Sequence, residues 1–108
     1  MAKITDVQVE QVRALVASIP EGRVVTYGDI ACAASLSSPR IVAWIMRADS
    51  HDLPWHRVIT ASGRPAPHLA AQQLTLLRAE GVTITEGRVP LTGARSVRHE
   101  FAAPRLQA

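Results

Sequence analysis

Ser37, Ser38 and Pro39 are the sharpest punctuation in this chain, and they leave almost no linker between two short apolar-faced segments. A serine caps the first unpaired amides, and a proline costs nothing at the first helical position, so the triplet starts a helix. Upstream, Thr26 caps a helix with Asp29 in its first turn and Ile30, Ala31, Ala33 and Ala34 on a small apolar face, ending near Leu36. Downstream, a helix from about Pro39 to Ala48 turns Ile41, Val42, Ile45 and Met46 toward a core. Two short helices joined this tightly, the second opening on Arg40, form a helix-turn-helix pattern. Arg40 and Arg47, seven residues apart, share roughly one face of the second helix, which fits either a solvated surface or a polyanion contact.

The pair is framed by regular elements. Thr5 and Gln8 make a capping box, after which Val9, Val12, Val16 and Ile19 recur at helical spacing up to Pro20. Glu21 and Gly22 turn the chain, and Val24 and Val25 form a short extended piece. After a polar loop at Asp49 to Asp52, Pro54 through Ile59 reads as a constrained extended segment entering a strand. Ser62, Gly63, Arg64, Pro65 and Pro67 make a rigid loop. A fourth helix is predicted over about His68 to Glu80, with Leu69, Leu74, Leu76 and Leu77 in the core and Gly81 as its stop, and Val82 and Ile84 extend briefly. From Gly87, Pro90, Gly93 and Pro104 break regularity while Arg88, Arg95, Arg98 and Arg105 add charge. The expected organisation is one domain over residues 1–86 and a basic tail over 87–108 that orders on a partner.

At 108 residues there is no room for a separate cofactor domain. The single Cys32 cannot form an internal disulfide, and no Cys/His cluster has zinc-ligand spacing, so no metal or cofactor is expected. No basic segment followed by an apolar run opens the chain, and no stretch reaches the roughly 18 apolar residues of a membrane helix. A cytoplasmic protein without a membrane partner is expected. Eleven of the twelve cations are arginines, and the net charge is −1 over residues 1–39, +2 over 40–80 and +2 over 81–108. A polyanion-binding face should come from the second and third segments.

Four blocks then carry a family resemblance: Ile19 to Ala31 (Ile, Pro, Glu, Gly, Arg, Val, Val, Thr, Tyr, Gly, Asp, Ile, Ala); Pro39, Arg40 and Val42; Pro54 to Ile59 (Pro, Trp, His, Arg, Val, Ile); and Leu76 to Gly81. Over roughly residues 7–85 the chain resembles the DNA-binding domain of the DNA alkyltransferases that repair guanine alkylated on O6. The resemblance implies a mostly α, small α+β fold, a winged helix-turn-helix like the C-terminal domain of those enzymes. Where the enzymes read Pro, Cys, His, Arg, Val, this chain has Trp55 at the cysteine position, as in the alkyltransferase-like proteins, the family's non-enzymatic branch. An SN2-like alkyl transfer needs a polarisable thiolate, which an indole cannot supply.

The resemblance also assigns roles. His56 and Glu80 match residues that activate the cysteine through water in the enzymes, and are left here with structural hydrogen bonds. Arg40 matches the arginine that enters the duplex in place of a rotated base, from the minor groove, where sequence readout is degenerate. Tyr27 matches a tyrosine that presses on the neighbouring phosphate, Thr26 caps the helix, and the small Gly28 lets a phosphate approach. Tyr27, Trp55, His56 and Arg57 are expected around a lesion pocket, with no catalytic residue. Cys32 is assigned a small apolar core role. The implied partners are double-stranded DNA containing O6-alkylguanine and nucleotide-excision repair proteins, bound by a monomer. Three departures stand out: Arg64 to His68 replace a tyrosine, serine and glycine-rich loop; Ala43 and Trp44 replace small glycines; and Asp49 places an anion beside DNA unless Arg47 neutralises it. The rival readings are a residual alkyltransferase-type enzyme using His56, Glu80 or Cys32, and a sequence-specific regulator reading the major groove.

Overall fold

A computed structural model describes residues 4–94, so Arg95, Arg98 and Arg105 of the basic tail lie outside the described residues. Helix α1 (Asp6–Ala17) opens on the predicted capping box: the Thr5 hydroxyl accepts the Gln8 amide at 3.1 Å, and Gln8 Oε1 accepts the Thr5 amide at 2.9 Å. Its inward face is Val12, Leu15 and Val16. After a turn, strand β1 (Val25–Thr26) runs directly into helix α2 (Tyr27–Ala33), and Ser38 and Pro39 then start helix α3 (Pro39–Ala48). The Ser38 hydroxyl accepts the Arg40 amide at 3.1 Å, the cap that the sequence signals. The helix-turn-helix is therefore α2 and α3, closed by Ser35 in the left-handed region at φ 57°.

The segment expected to be extended from Pro54 departs from that expectation. Trp55–Arg57 wind into a 3-10 turn, and only Val58–Ile59 form strand β2. The two strands pair in parallel, Val25 opposite Val58 and Thr26 opposite Ile59, since the helical pair intervenes between them and a hairpin is not possible. A second 3-10 turn, Pro67–Leu69, then leads into helix α4 (Ala70–Ala79), which begins two residues later than predicted, and helix α5 (Leu91–Ala94) follows.

Two apolar clusters flank the small sheet. The larger joins α1, α2 and α3 through Val12, Val16, Ile30, Val42 and Ile45, and takes in Val25 and Val58 from the strands. The smaller unites Val24, Ile59, Leu77, Val82 and Val89, with Ile84 and Leu91 against it. Of the four leucines expected in the core from α4, only Leu77 is fully buried, and Leu76 is exposed. Val82 and Ile84 pack without forming a strand, while Thr85 and Arg88 make a single antiparallel bridge. Val89 is tied down by its amide, which donates to the Gly63 carbonyl at 2.8 Å. Gly63 sits at φ 82°, and a Cβ there would lie 2.3 Å from the Val89 carbonyl oxygen, so no other residue fits.

Candidate nucleic-acid interface

The helix-turn-helix and the two 3-10 turns enclose an open cleft of about 860 Å³. Tyr27 comes from the start of α2, Arg40 and Arg47 from α3, Trp55 from the first turn, and Pro67 and His68 from the second. Parallel pairing of β1 and β2 sets Tyr27, which follows β1, and Thr60, which follows β2, at the same end of the sheet, and both line the cleft.

Each wall residue has a physical setting. Burial raises the Tyr27 phenol above its ordinary pKa against the opposing effect of the Arg47 charge, so at neutral pH it remains a hydrogen-bond donor. Trp55 is half-buried against the larger cluster, its ring edge-on to His56 at 6.1 Å between centroids. Arg40 and Arg47 are exposed. Thr26 is buried, its hydroxyl accepting the Asp29 amide at 3.0 Å while Asp29 Oδ2 accepts the Thr26 amide at 3.0 Å, so it serves as a cap. At Gly28 an added Cβ would meet only Thr26 Oγ1 at 3.7 Å and Pro39 Cγ at 4.0 Å, ordinary contacts.

His56 and Arg57 do not line the cleft. They turn to Glu80, whose carboxylate accepts His56 Nε2 at 2.6 Å, Arg57 Nε at 3.0 Å and Nη2 at 2.8 Å, and the Gly22 amide at 3.0 Å. Burial opposes ionisation of Glu80, but the hydrogen bonds from Arg57, Gly22 and His56 outweigh it and lower its pKa to about 2. Arg57 Nη1 also donates to the Ile19 carbonyl at 2.8 Å. The turn that carries Trp55 is thereby clamped to the end of α4 and to the loop before β1.

The sequence reading overlooked Gln73, which is 2% exposed and donates its amide to the carbonyls of His56 at 3.0 Å and Val58 at 2.8 Å. Its signal was present: Gln73 precedes Leu77 by four residues, which puts both on one face of α4. Asp49 is neutralised by Arg13 rather than by Arg47: Arg13 bonds Asp49 Oδ1 at 3.0 Å and Asp52 Oδ2 at 2.6 Å. That pairing leaves Arg47 on the cleft wall. Cys32, assigned to the core, is exposed instead, because Ile30, Ala31 and Ala34 take up the inward face of α2.

Among the described residues, no group of three or more His, Cys, Asp and Glu side chains is placed to hold a metal ion, and no helix is long and apolar enough to cross a membrane. The cleft walls offer aromatic faces, hydroxyls, imidazoles and guanidinium groups but no thiol. Such a surface can stack a base and pair with phosphates.

Residues 8–82 match the family model of the 6-O-methylguanine DNA methyltransferase DNA-binding domain. A DNA base-flipping protein of Escherichia coli (strain K12) is 39% identical over 89 residues, covering 76% of this chain and 68% of the relative. The crystal structure of S. pombe Atl1 in complex with damaged DNA containing O6-carboxymethylguanine superposes with a TM-score of 0.77 at 29% identity, over 88% of this chain and 99% of that one. Mycobacterium tuberculosis O6-methylguanine methyltransferase gives a TM-score of 0.60 at 28% identity, over 82% of this chain and 53% of the enzyme. The chain thus spans about half of that enzyme but nearly the whole of Atl1. The winged helix-turn-helix expected from the sequence is accordingly the fold, and the chain belongs to the family of the 6-O-methylguanine DNA methyltransferase DNA-binding domain, in its alkyltransferase-like form.

Proposed function

We propose that this protein is a non-enzymatic sensor of O6-alkylguanine in duplex DNA. The observation that carries the reading is the meeting of Tyr27, Arg40 and Trp55 on one cleft in a chain of this family. Arg40 enters the duplex in place of the lesion, Tyr27 donates to the adjoining phosphate, and Trp55 stacks on the rotated base. Rotation costs a few kcal/mol, which the inserted guanidinium and the stacked pocket offset. His56 and Arg57 contribute through Glu80, by fixing the turn that holds Trp55. Trp55 stands at the acceptor position, so the alkyl group stays on the base. The names of the relatives support this reading: one is a base-flipping protein, and another is bound to DNA carrying O6-carboxymethylguanine. The protein acts as a monomer in the bacterial cytoplasm at the nucleoid, and the held lesion is passed to nucleotide-excision repair proteins.

Binding titrations with matched duplexes that differ in one O6-methyl group test the reading. Tighter binding of the methylated duplex at any flanking sequence is expected, and equal affinities defeat it. Mass spectrometry after incubation with the same DNA should find the protein mass unchanged; an added methyl on His56, Glu80 or Cys32 restores the enzyme reading.

A further inference from the structure

Trp44 is 49% exposed, and it joins neither apolar cluster. Leaving so much of an indole in water forgoes the burial that ordinarily accounts for a tryptophan. Its position on α3 supplies a different reason. At roughly 100° per residue, the face of α3 opposite buried Val42, Ile45 and Met46 runs in angular order Ala43, Arg47, Arg40, Trp44. The first three line the cleft, and Trp44 comes next, just past Arg40. Arg40 therefore stands between the cleft on one side and the indole on the other.

We propose that Trp44 is a second wedge and a specificity determinant, pressing its ring into the duplex beside the gap that Arg40 fills. The inference rests on the lesion-binding reading of that face. Flanking Arg40 and Arg47 hold the backbone by charge, and an apolar ring between groove walls stabilises unstacking that a guanidinium alone leaves exposed to water. Stacking removes no counterion, so its contribution is independent of salt, unlike that of the arginines. The ring also makes recognition depend on how easily the step next to the lesion opens, with flexible pyrimidine–purine steps favoured.

The test compares the whole protein with Trp44→Ala and Trp44→Phe in titrations against duplexes with and without one O6-methylguanine, at two salt concentrations. An exposed position leaves the fold intact, which circular dichroism checks. Trp44→Ala should bind the lesion duplex about tenfold or more weakly with an unchanged salt slope, and Trp44→Phe should retain most of the affinity. Equal or tighter binding by Trp44→Ala, or a loss accompanied by a shallower salt slope, overturns the proposal. If the wild type itself fails to distinguish the two duplexes, the lesion reading fails, while a Trp44→Ala loss on both still places the ring on DNA.

Discussion

Glu80 and Arg57 form a side-on ion pair beneath the cleft, with Arg57 Nε 3.0 Å from Oε1 and Nη2 2.8 Å from Oε2. The pair makes stability depend on pH. The Glu80 carboxyl ordinarily titrates near 4.5 and is lowered to about 2, so the folded state binds its proton later than the unfolded chain does. Its stabilisation is fully present above the unfolded value and is lost as pH falls from 4.5 through 2. A shift of that size corresponds to about 3 kcal/mol. Urea unfolding of the wild type should lose stability on this order between pH 6 and pH 2, whereas Glu80→Gln should start less stable at pH 7 and show a flatter acid limb. A steep acid limb retained by Glu80→Gln would assign the dependence to other carboxylates.

Gln73 ties α4 to the same turn from the inside. Replacing its buried amide with leucine removes two hydrogen bonds and sets a branched apolar group against two carbonyls. Gln73→Leu should cost about 2 kcal/mol in chemical denaturation at pH 7. If Gln73→Leu is as stable as the wild type, the two carbonyls are satisfied by other donors.

These two anchors show where sequence legibility ends. Helix starts depend on neighbours a few residues apart, and so Thr5 with Gln8, Thr26 with Asp29 and Ser38 with Arg40 all form the bonds their spacing implies. The wall residues Tyr27, Arg40 and Trp55 were legible only because the family blocks carry them in order. What one segment could not reveal was long-range pairing. Arg13 meets Asp49 and Asp52 across 36 and 39 residues, and Arg57 meets Glu80 across 23. Arg47, two residues from Asp49, was the one neighbour set against it in the sequence, and it lines the cleft instead. Cys32 was misplaced for a related reason: a seven-residue helix of small residues leaves its inward face ambiguous.

Gly28 separates the needs of the fold from those of binding. Its backbone is not left-handed and a methyl group meets nothing closer than 3.7 Å, so Gly28→Ala should stabilise the free protein by about 0.5 kcal/mol through a less disordered unfolded chain. The same methyl stands where a phosphate must come close beside Tyr27, and lesion binding should fall about fivefold, a loss of about 1 kcal/mol. A higher melting temperature with undiminished binding would remove Gly28 from the interface.

Arg40 should show the same separation, without the gain in stability. Its side chain is exposed at the start of α3, while the cap on that helix uses its backbone amide, so Arg40→Ala leaves the Ser38 bond intact and should leave the melting temperature within a degree or two. Binding should respond strongly, because the side chain substitutes for a displaced nucleotide as well as meeting a phosphate. Loss of one phosphate contact lowers affinity evenly on all duplexes and reduces the salt slope by about one unit. Arg40→Ala should exceed that on the O6-methylguanine duplex, by about tenfold beyond its loss on the undamaged one, since the cost of an unfilled gap falls only where a base has been rotated out. Arg40→Lys keeps the charge without the planar fork and should recover the undamaged-duplex affinity more fully than the lesion affinity. Equal losses on the two duplexes for Arg40→Ala would reduce Arg40 to a phosphate contact and leave the rotated base without its substitute.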